Sequence, residues 1–123
     1  MTLVFTRSDE LNNNFNPSTD LIGVRIPDYP FLRQVCSLLQ SPLALTSANL
    51  SNMSSSLSVE EFSELHQDLG LVFDGGQLSD SEDARLGSTV VDLSETGHYK
   101  IIRAGSAQMK VESVMKKHGV SHR

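Results

Sequence analysis

The sequence has one cysteine, Cys36, which excludes an internal disulfide and any multi-cysteine zinc site and suits a reducing compartment. Cations are scarce: Lys and Arg total 10 against 15 for Asp and Glu, a formal net charge of -5. This balance weighs against a surface that grips phosphate backbones through bulk positive charge, and any anion site must be local. No run approaches the ~18 consecutive apolar residues of a membrane-spanning helix. The first residues, Met1 to Thr6, lack the basic region, apolar run and small-residue cleavage site of a signal peptide, and read instead as a β-strand. There is no internal repeat, P-loop, Rossmann fingerprint or nucleophile elbow. The histidines, His66, His98, His118 and His122, show no metal-ligand spacing, the last two straddling Gly119 in an expected frayed tail. Asn49-Leu50-Ser51 and Asn52-Met53-Ser54 match the glycosylation acceptor, which carries little weight without a secretory signal.

What is there is a soluble globular composition, 123 residues with 38% hydrophobic and 20% charged, enough for one domain with a modest core. Short apolar β-type runs alternate with amphipathic helical stretches, which predicts an α/β (α+β) fold, a sheet with helices packed on it. Strands are expected at residues 3–5 and 21–26, separated by an Asn-rich loop. Asp28 is placed to cap a helix in which Phe31, Val35, Leu38 and Leu39 share a face, with Cys36 beside them as a small core residue. The continuous run Leu43-Ala44-Leu45-Thr46 predicts a buried central strand. Residues 47–58 hold six serines and two asparagines and must form an exposed loop. Ser58 and Glu61 have capping-box spacing for a short helix. Asp74-Gly75-Gly76 is a turn, residues 79–83 are an acidic loop, and residues 88–93 and 99–103 predict an antiparallel hairpin about Glu95-Thr96-Gly97. A last helix from Ser106 carries Val111, Val114 and Met115 on one face and ends before Gly119. Because the second residue already lies in a core-type strand, residues upstream of Met1 are expected to be absent.

The strongest chemical signal is the passage from the run at 43–46 into Ser47-Ala48-Asn49-Leu50-Ser51, since α/β sheets place ligands at the carboxyl ends of strands. Ser47 and Asn49, two apart, either donate together to a phosphate or bond their own loop backbone. Arg25, inside an otherwise apolar strand, requires an anionic partner, whether an internal carboxylate or a ligand. Arg103, near the end of the hairpin strand, poses the same question. Cys36, within a helical core pattern, is a poor nucleophile.

Six segments carry a family resemblance: Thr2-Leu3-Val4, Gly23-Val24-Arg25-Ile26-Pro27-Asp28, the run from Pro42 to Ser51, Asp74-Gly75-Gly76, the run from Gly87 to Asp92, and Ile102-Arg103-Ala104-Gly105. In this order they resemble the YrdC-like family, the L-threonylcarbamoyladenylate synthases, and are most similar to its single-domain animal members. The resemblance implies a twisted mixed sheet flanked by helices. Residues 1–105 would be the C-terminal part of a YrdC-like domain and residues 106–123 a C-terminal helix and tail. It implies that L-threonine, bicarbonate and ATP, with Mg²⁺, yield threonylcarbamoyl-AMP and pyrophosphate, and that downstream machinery transfers the threonylcarbamoyl group to tRNA.

Residue by residue, the resemblance implies that Arg25 binds the threonine carboxylate, that Leu45 offers its backbone near threonine, and that Ser88 lies beside threonine or carbamate. Ser47 and Asn49 would hold ATP phosphate oxygens, with Ser55 a further contact, and Arg103 would meet the nucleotide; no residue is assigned as nucleophile or base. The chain departs from the family pattern at Leu21, where a hydroxyl residue is common, at Asn52, where glycine is usual, and at Ala104, in place of proline. The family's upstream basic motif for ATP is not among these residues, so the 123 residues alone are expected to make no product. The competing reading is a non-catalytic RNA-binding or regulatory YrdC-like module, against which the negative net charge weighs. The cytoplasm is the expected compartment, a mitochondrial address being left open because any targeting segment would lie upstream.

Overall fold

The computed structural model describes residues 1–123, which fall into two compact units, 1–44 with 88–123, and 45–87. The first unit is built on a mixed five-stranded sheet. Its strands are β1 (Thr2–Thr6), β2 (Leu21–Val24), β3 (Val90–Asp92), β4 (His98–Arg103) and β5 (Ser121–His122), in spatial order β2-β1-β3-β4-β5. The helices are α1 (Pro30–Leu39) and α2 (Gln108–Lys117). No helix is long and apolar enough to cross a membrane.

β1 and β2, the two runs joined by the Asn-rich loop, pair antiparallel with Leu3 opposite Val24 and Thr6 opposite Leu21. β1 and β3 pair parallel, and β3 and β4 form the predicted hairpin, turned by Gly97 at φ 79 and bulged between Val90 and Val91. The core lies on one face of these central strands. Val91 is fully buried and packs with Tyr99 and with Val111 of α2, ringed by Leu3, Leu93, Ile101, Met115 and Val120. Buried Thr89 joins the layers: its carbonyl accepts from Thr2 N at 2.8 Å and its hydroxyl from Ala107 N, just before α2, at 3.0 Å.

Several expectations are corrected here. The run at 43–46 is not a strand, and Leu45 is 65% exposed. An apolar run becomes a strand only where a neighbouring edge can take its backbone N–H and C=O groups, and the five strands form their sheet without it. α1 forms with Pro30 in its first turn and Gln40 in the left-handed region after its last, but its apolar stripe is not a core face. Val35 and Cys36 are half-buried, while Leu38 is 78% exposed. Asp28 does not cap it; Tyr29 is the N-cap residue, and Asp28 pairs instead with Arg33 at 3.4 Å.

The tail is not frayed. Gly119, at φ 68, ends α2 with Val120 N donating to Met115 O and Gly119 N to Lys116 O, a Schellman motif that reverses the chain. β5 is thereby laid parallel to β4, with the His122 ring edge-on to Tyr99 at 5.0 Å. Arg123 then forks to Asp92 and, at 2.8 Å, to Glu95.

Hydrogen bonds from the Ser94 hydroxyl and then the Ser94 backbone N–H, with the nearby charge of Arg123, hold the Asp92 carboxyl below the usual carboxylate range against the opposing effect of burial. A carboxyl whose pKa is depressed on folding adds stability above its unfolded value, about 3.9, and that stability is lost as pH falls through the lower folded value. The urea midpoint is therefore expected to drop as the pH is lowered from about 4, the ordinary carboxylate value. Ser94→Ala should flatten that drop more than Arg123→Ala, because the hydroxyl bond it removes is the largest single cause, although the Ser94 backbone N–H still donates. An equal acid slope in wild type and both variants would refute this.

The second unit, residues 45–87, has two short 3₁₀ segments, Glu60–Asp68 and Glu82–Leu86, around one buried apolar side chain, Leu57. The capping box expected from Ser58 and Glu61 does not form, since the segment has no side-chain cap bond. Val59 is the N-cap, the Ser58 hydroxyl bonds Glu60, and Glu61 reaches back to Leu57 N at 3.3 Å. Phe62, at φ -123, kinks the first segment, which keeps it from becoming an α-helix. Asp74-Gly75-Gly76 forms no backbone turn or bend; Gly76 N donates to the Asp74 carboxylate Oδ1 at 2.7 Å, with Gly76 at φ 74.

Candidate functional site

The sequence-derived site residues fall in both units. Arg25, Ser88 and Arg103 belong to the first; Leu45, Ser47, Asn49 and Ser55 belong to the second.

In the first unit Arg25 lies just beyond the end of β2 rather than inside it. It is exposed and makes no ion pair, so the internal partner demanded by a buried strand arginine is not needed; water solvates the guanidinium. Arg103, at the end of β4, also lacks a carboxylate. Its Nε and Nη2 donate to Ser88 O at 3.0 and 2.8 Å, and Nη2 also donates to Ser88 Oγ at 2.9 Å. This fork leaves Nη1 for another acceptor. Ser88 Oγ also lies 3.2 Å from Thr2 Oγ1, so β1, the residue before Thr89 and the end of β4 meet at one place. Burial, and then the charges of Arg25 and Arg103, hold the pKa of the Met1 ammonium below its ordinary value. Both arginines therefore lie near the start of β1.

In the second unit the serine-rich loop is exposed only in part: residues 47–54 are exposed apart from half-buried Asn49, whereas Ser55, Ser56 and Ser58 are half-buried and Leu57 is buried, and the loop is closed upon itself. The Ser56 hydroxyl donates to Ala48 O at 2.7 Å, and the Asn49 amide donates to Leu50 O at 3.0 Å and Met53 O at 2.8 Å. Of the two readings of Asn49, bonding its own loop is the one its amide nitrogen adopts. Its Oδ1 is buried and has no hydrogen-bond partner. Asn52 sits at φ 68. Asparagine is among the few residues that enter the left-handed region readily, which explains how it stands where the family pattern has glycine.

The residues missed from sequence are Arg85 and Glu61. Arg85 Nη1 and Nη2 meet the two Glu61 carboxylate oxygens at 2.6 and 3.0 Å, and Nη1 also donates to Ser55 O at 3.3 Å. Glu82, three residues before Arg85, is the one partner that spacing could have revealed, at 3.2 Å. Arg85 holds the Glu61 carboxyl below the usual carboxylate range. No group of three or more His, Cys, Asp or Glu residues is arranged to hold a metal ion.

The family model described as "Telomere recombination", Sua5/YciO/YrdC, matches residues 1–105. The chain is 50% identical over 122 residues to threonylcarbamoyl-AMP synthase of Bos taurus, covering 98% of this chain and 44% of that protein. It is 52% identical over 117 residues to threonylcarbamoyl-AMP synthase of Homo sapiens, covering 94% of this chain and 42% of that protein. The crystal structure of P. abyssi Sua5 complexed with L-threonine superposes with a TM-score of 0.77 at 26% identity, over 99% of this chain and 34% of that one. The chain thus spans less than half the length of the curated relatives it matches. A mixed sheet with Arg25, Ser88 and Arg103 at its strand ends, a self-closed Ser/Asn loop, and a family match across residues 1–105 lead to one assignment: the chain belongs to the Sua5/YciO/YrdC family.

Proposed function

We propose that the protein is a nucleotidyltransferase of tRNA modification that joins L-threonine, bicarbonate and ATP into threonylcarbamoyl-AMP and releases pyrophosphate. The observation that carries this reading is the identity, along nearly the whole chain, with mammalian threonylcarbamoyl-AMP synthases. The threonine held by a structural relative supports the amino acid substrate.

In this reaction the threonine amine and bicarbonate condense to threonine carbamate with loss of water, and an oxygen of the carbamate group, not of the α-carboxylate, attacks the α-phosphorus of ATP. A new O–P bond forms, the bond to the oxygen bridging to the β-phosphorus breaks, and pyrophosphate carries away the electron pair. Positioning and charge stabilisation suffice for such a step. Arg25, exposed and without an ion pair, offers a planar two-pronged donor to the threonine carboxylate. By the family resemblance, Ser88 of the first unit is assigned to threonine or its carbamate, and the Leu45 backbone of the second unit to threonine. Arg103 turns its remaining amino group, Nη1, to the nucleotide while its other donors hold Ser88. Ser47, Asn49 and Ser55 take phosphate oxygens, Asn49 by exchanging its loop bonds for the ligand. These seven residues supply guanidinium, hydroxyl, amide and backbone groups and no carboxylate, so Mg²⁺ enters as part of the MgATP substrate. We assign the reaction to the cytoplasm, where a lone thiol such as Cys36 stays reduced.

The test is pyrophosphate release by the protein isolated at the length the cell makes it. Release that requires ATP and stops when either threonine or bicarbonate is omitted is expected. Release indifferent to threonine would overturn the assignment.

A further inference from the structure

Residues 45–58 form no helix or strand, yet a loop that binds phosphates must hold its donors in place before the ligand arrives. The Ser56 and Asn49 bonds close the loop on itself without fastening it to the rest of its unit. Its far limb is fastened at two successive places. Ser55 O accepts from Arg85 Nη1, and Leu57 N donates to Glu61, while the buried Leu57 accepts from Leu78 N at 2.8 Å. Arg85 and Glu61 are themselves joined through both carboxylate oxygens, and Arg85 Nε is held by Glu82.

We propose that Arg85 and Glu61 are a positioning pair that fixes the Ser47–Asn49–Ser55 loop for the nucleotide phosphates, without either side chain touching the nucleotide. The proposal rests on the assignment of that loop to ATP made above. Their side chains are 29% and 33% exposed, and a pair so accessible to water adds little to global stability. Its geometric consequence is larger. One guanidinium spans Glu61, Glu82 and the Ser55 carbonyl at once, which a lysine ammonium on a single point cannot do.

The experiment measures ATP and threonine affinity by calorimetry for the wild-type protein at its natural length, and for Glu61→Gln, Arg85→Lys and Arg85→Ala. Positioning predicts ATP binding weaker by about tenfold in all three, since displacement of a donor by a fraction of an ångström has effects of that order. Threonine affinity should stay within about twofold, the level of a distant surface change. If Arg85 instead met the phosphates directly, Glu61→Gln would free the guanidinium and tighten ATP binding, and Arg85→Lys would retain most of it; either result overturns the proposal. Loss of threonine binding together with ATP binding in Arg85→Lys, the mildest change, also overturns it, because the pair would then be holding up the fold. Wild-type protein that binds no ATP overturns the functional reading beneath the proposal, whereas wild-type binding that the variants leave unchanged overturns the positioning role alone.

Discussion

Arg25→Ala is expected to raise the KM for threonine by about 10²-fold while leaving ATP affinity within about twofold, because a charged, two-pronged hydrogen bond to a carboxylate is lost and nothing at the phosphates changes. Three observations give the prediction its size. Arg25 sits at the end of β2, held in register by the pairing of Val24 with Leu3. It spends none of its donors on an internal ion pair, so they are available to a ligand. It is also exposed, so a ligand can reach the guanidinium. Arg25→Lys should recover part of the charge effect and none of the two-point geometry, leaving KM raised by about tenfold. Steady-state pyrophosphate release at varied threonine checks both variants, and an unchanged threonine KM in Arg25→Ala would remove this residue from the site.

The second large effect is on stability. Val91→Asp should abolish cooperative unfolding, read by circular dichroism against urea. Val91 is 0% exposed in the central strand β3, between Leu3 of β1 and Ile101 of β4, and its side chain packs on Tyr99 and Val111. A carboxylate there would lose its water with no partner to replace it, a penalty of several kcal/mol against a typical domain stability of about 5–15 kcal/mol. Ile102→Asp, one residue further along β4, is the control: Ile102 is 55% exposed, and the change should cost no more than about 0.5 kcal/mol. Comparable midpoints for the two variants would mean that the cluster around Val91 is not the core that holds the sheet.

The contrast between those neighbours bears on how much could be read from the sequence. Local patterns located β1, β2, the β3–β4 hairpin and α2, because apolar alternation, Asn-rich connections, Gly97 and Gly119 act within a few residues of themselves. The same patterns failed where the outcome depends on a distant partner. Leu43-Ala44-Leu45-Thr46 looked like a central strand and has no strand beside it, and the stripe on α1 looked like a core face and is largely exposed. The end of the chain looked frayed, yet Arg123 meets Asp92 across 31 residues and closes β5 onto the sheet.

The candidate site divides along the same line. The sequence by itself determined which groups are chemically able to serve: one thiol and no metal-binding spacing, a local rather than general positive charge, two arginines in or at the end of β-type runs, and a loop of hydroxyls and amides. Tertiary structure alone decided their state. It placed Arg25 in water without a partner, tied Arg103 to the Ser88 carbonyl and hydroxyl, turned the Asn49 amide onto its own loop, and brought Arg85 to Glu61 and Ser55. The physical reason is range. Backbone preference and hydrophobic period are settled by neighbours along the chain, whereas burial, charge pairing and the choice of hydrogen-bond partner depend on residues that only folding brings near.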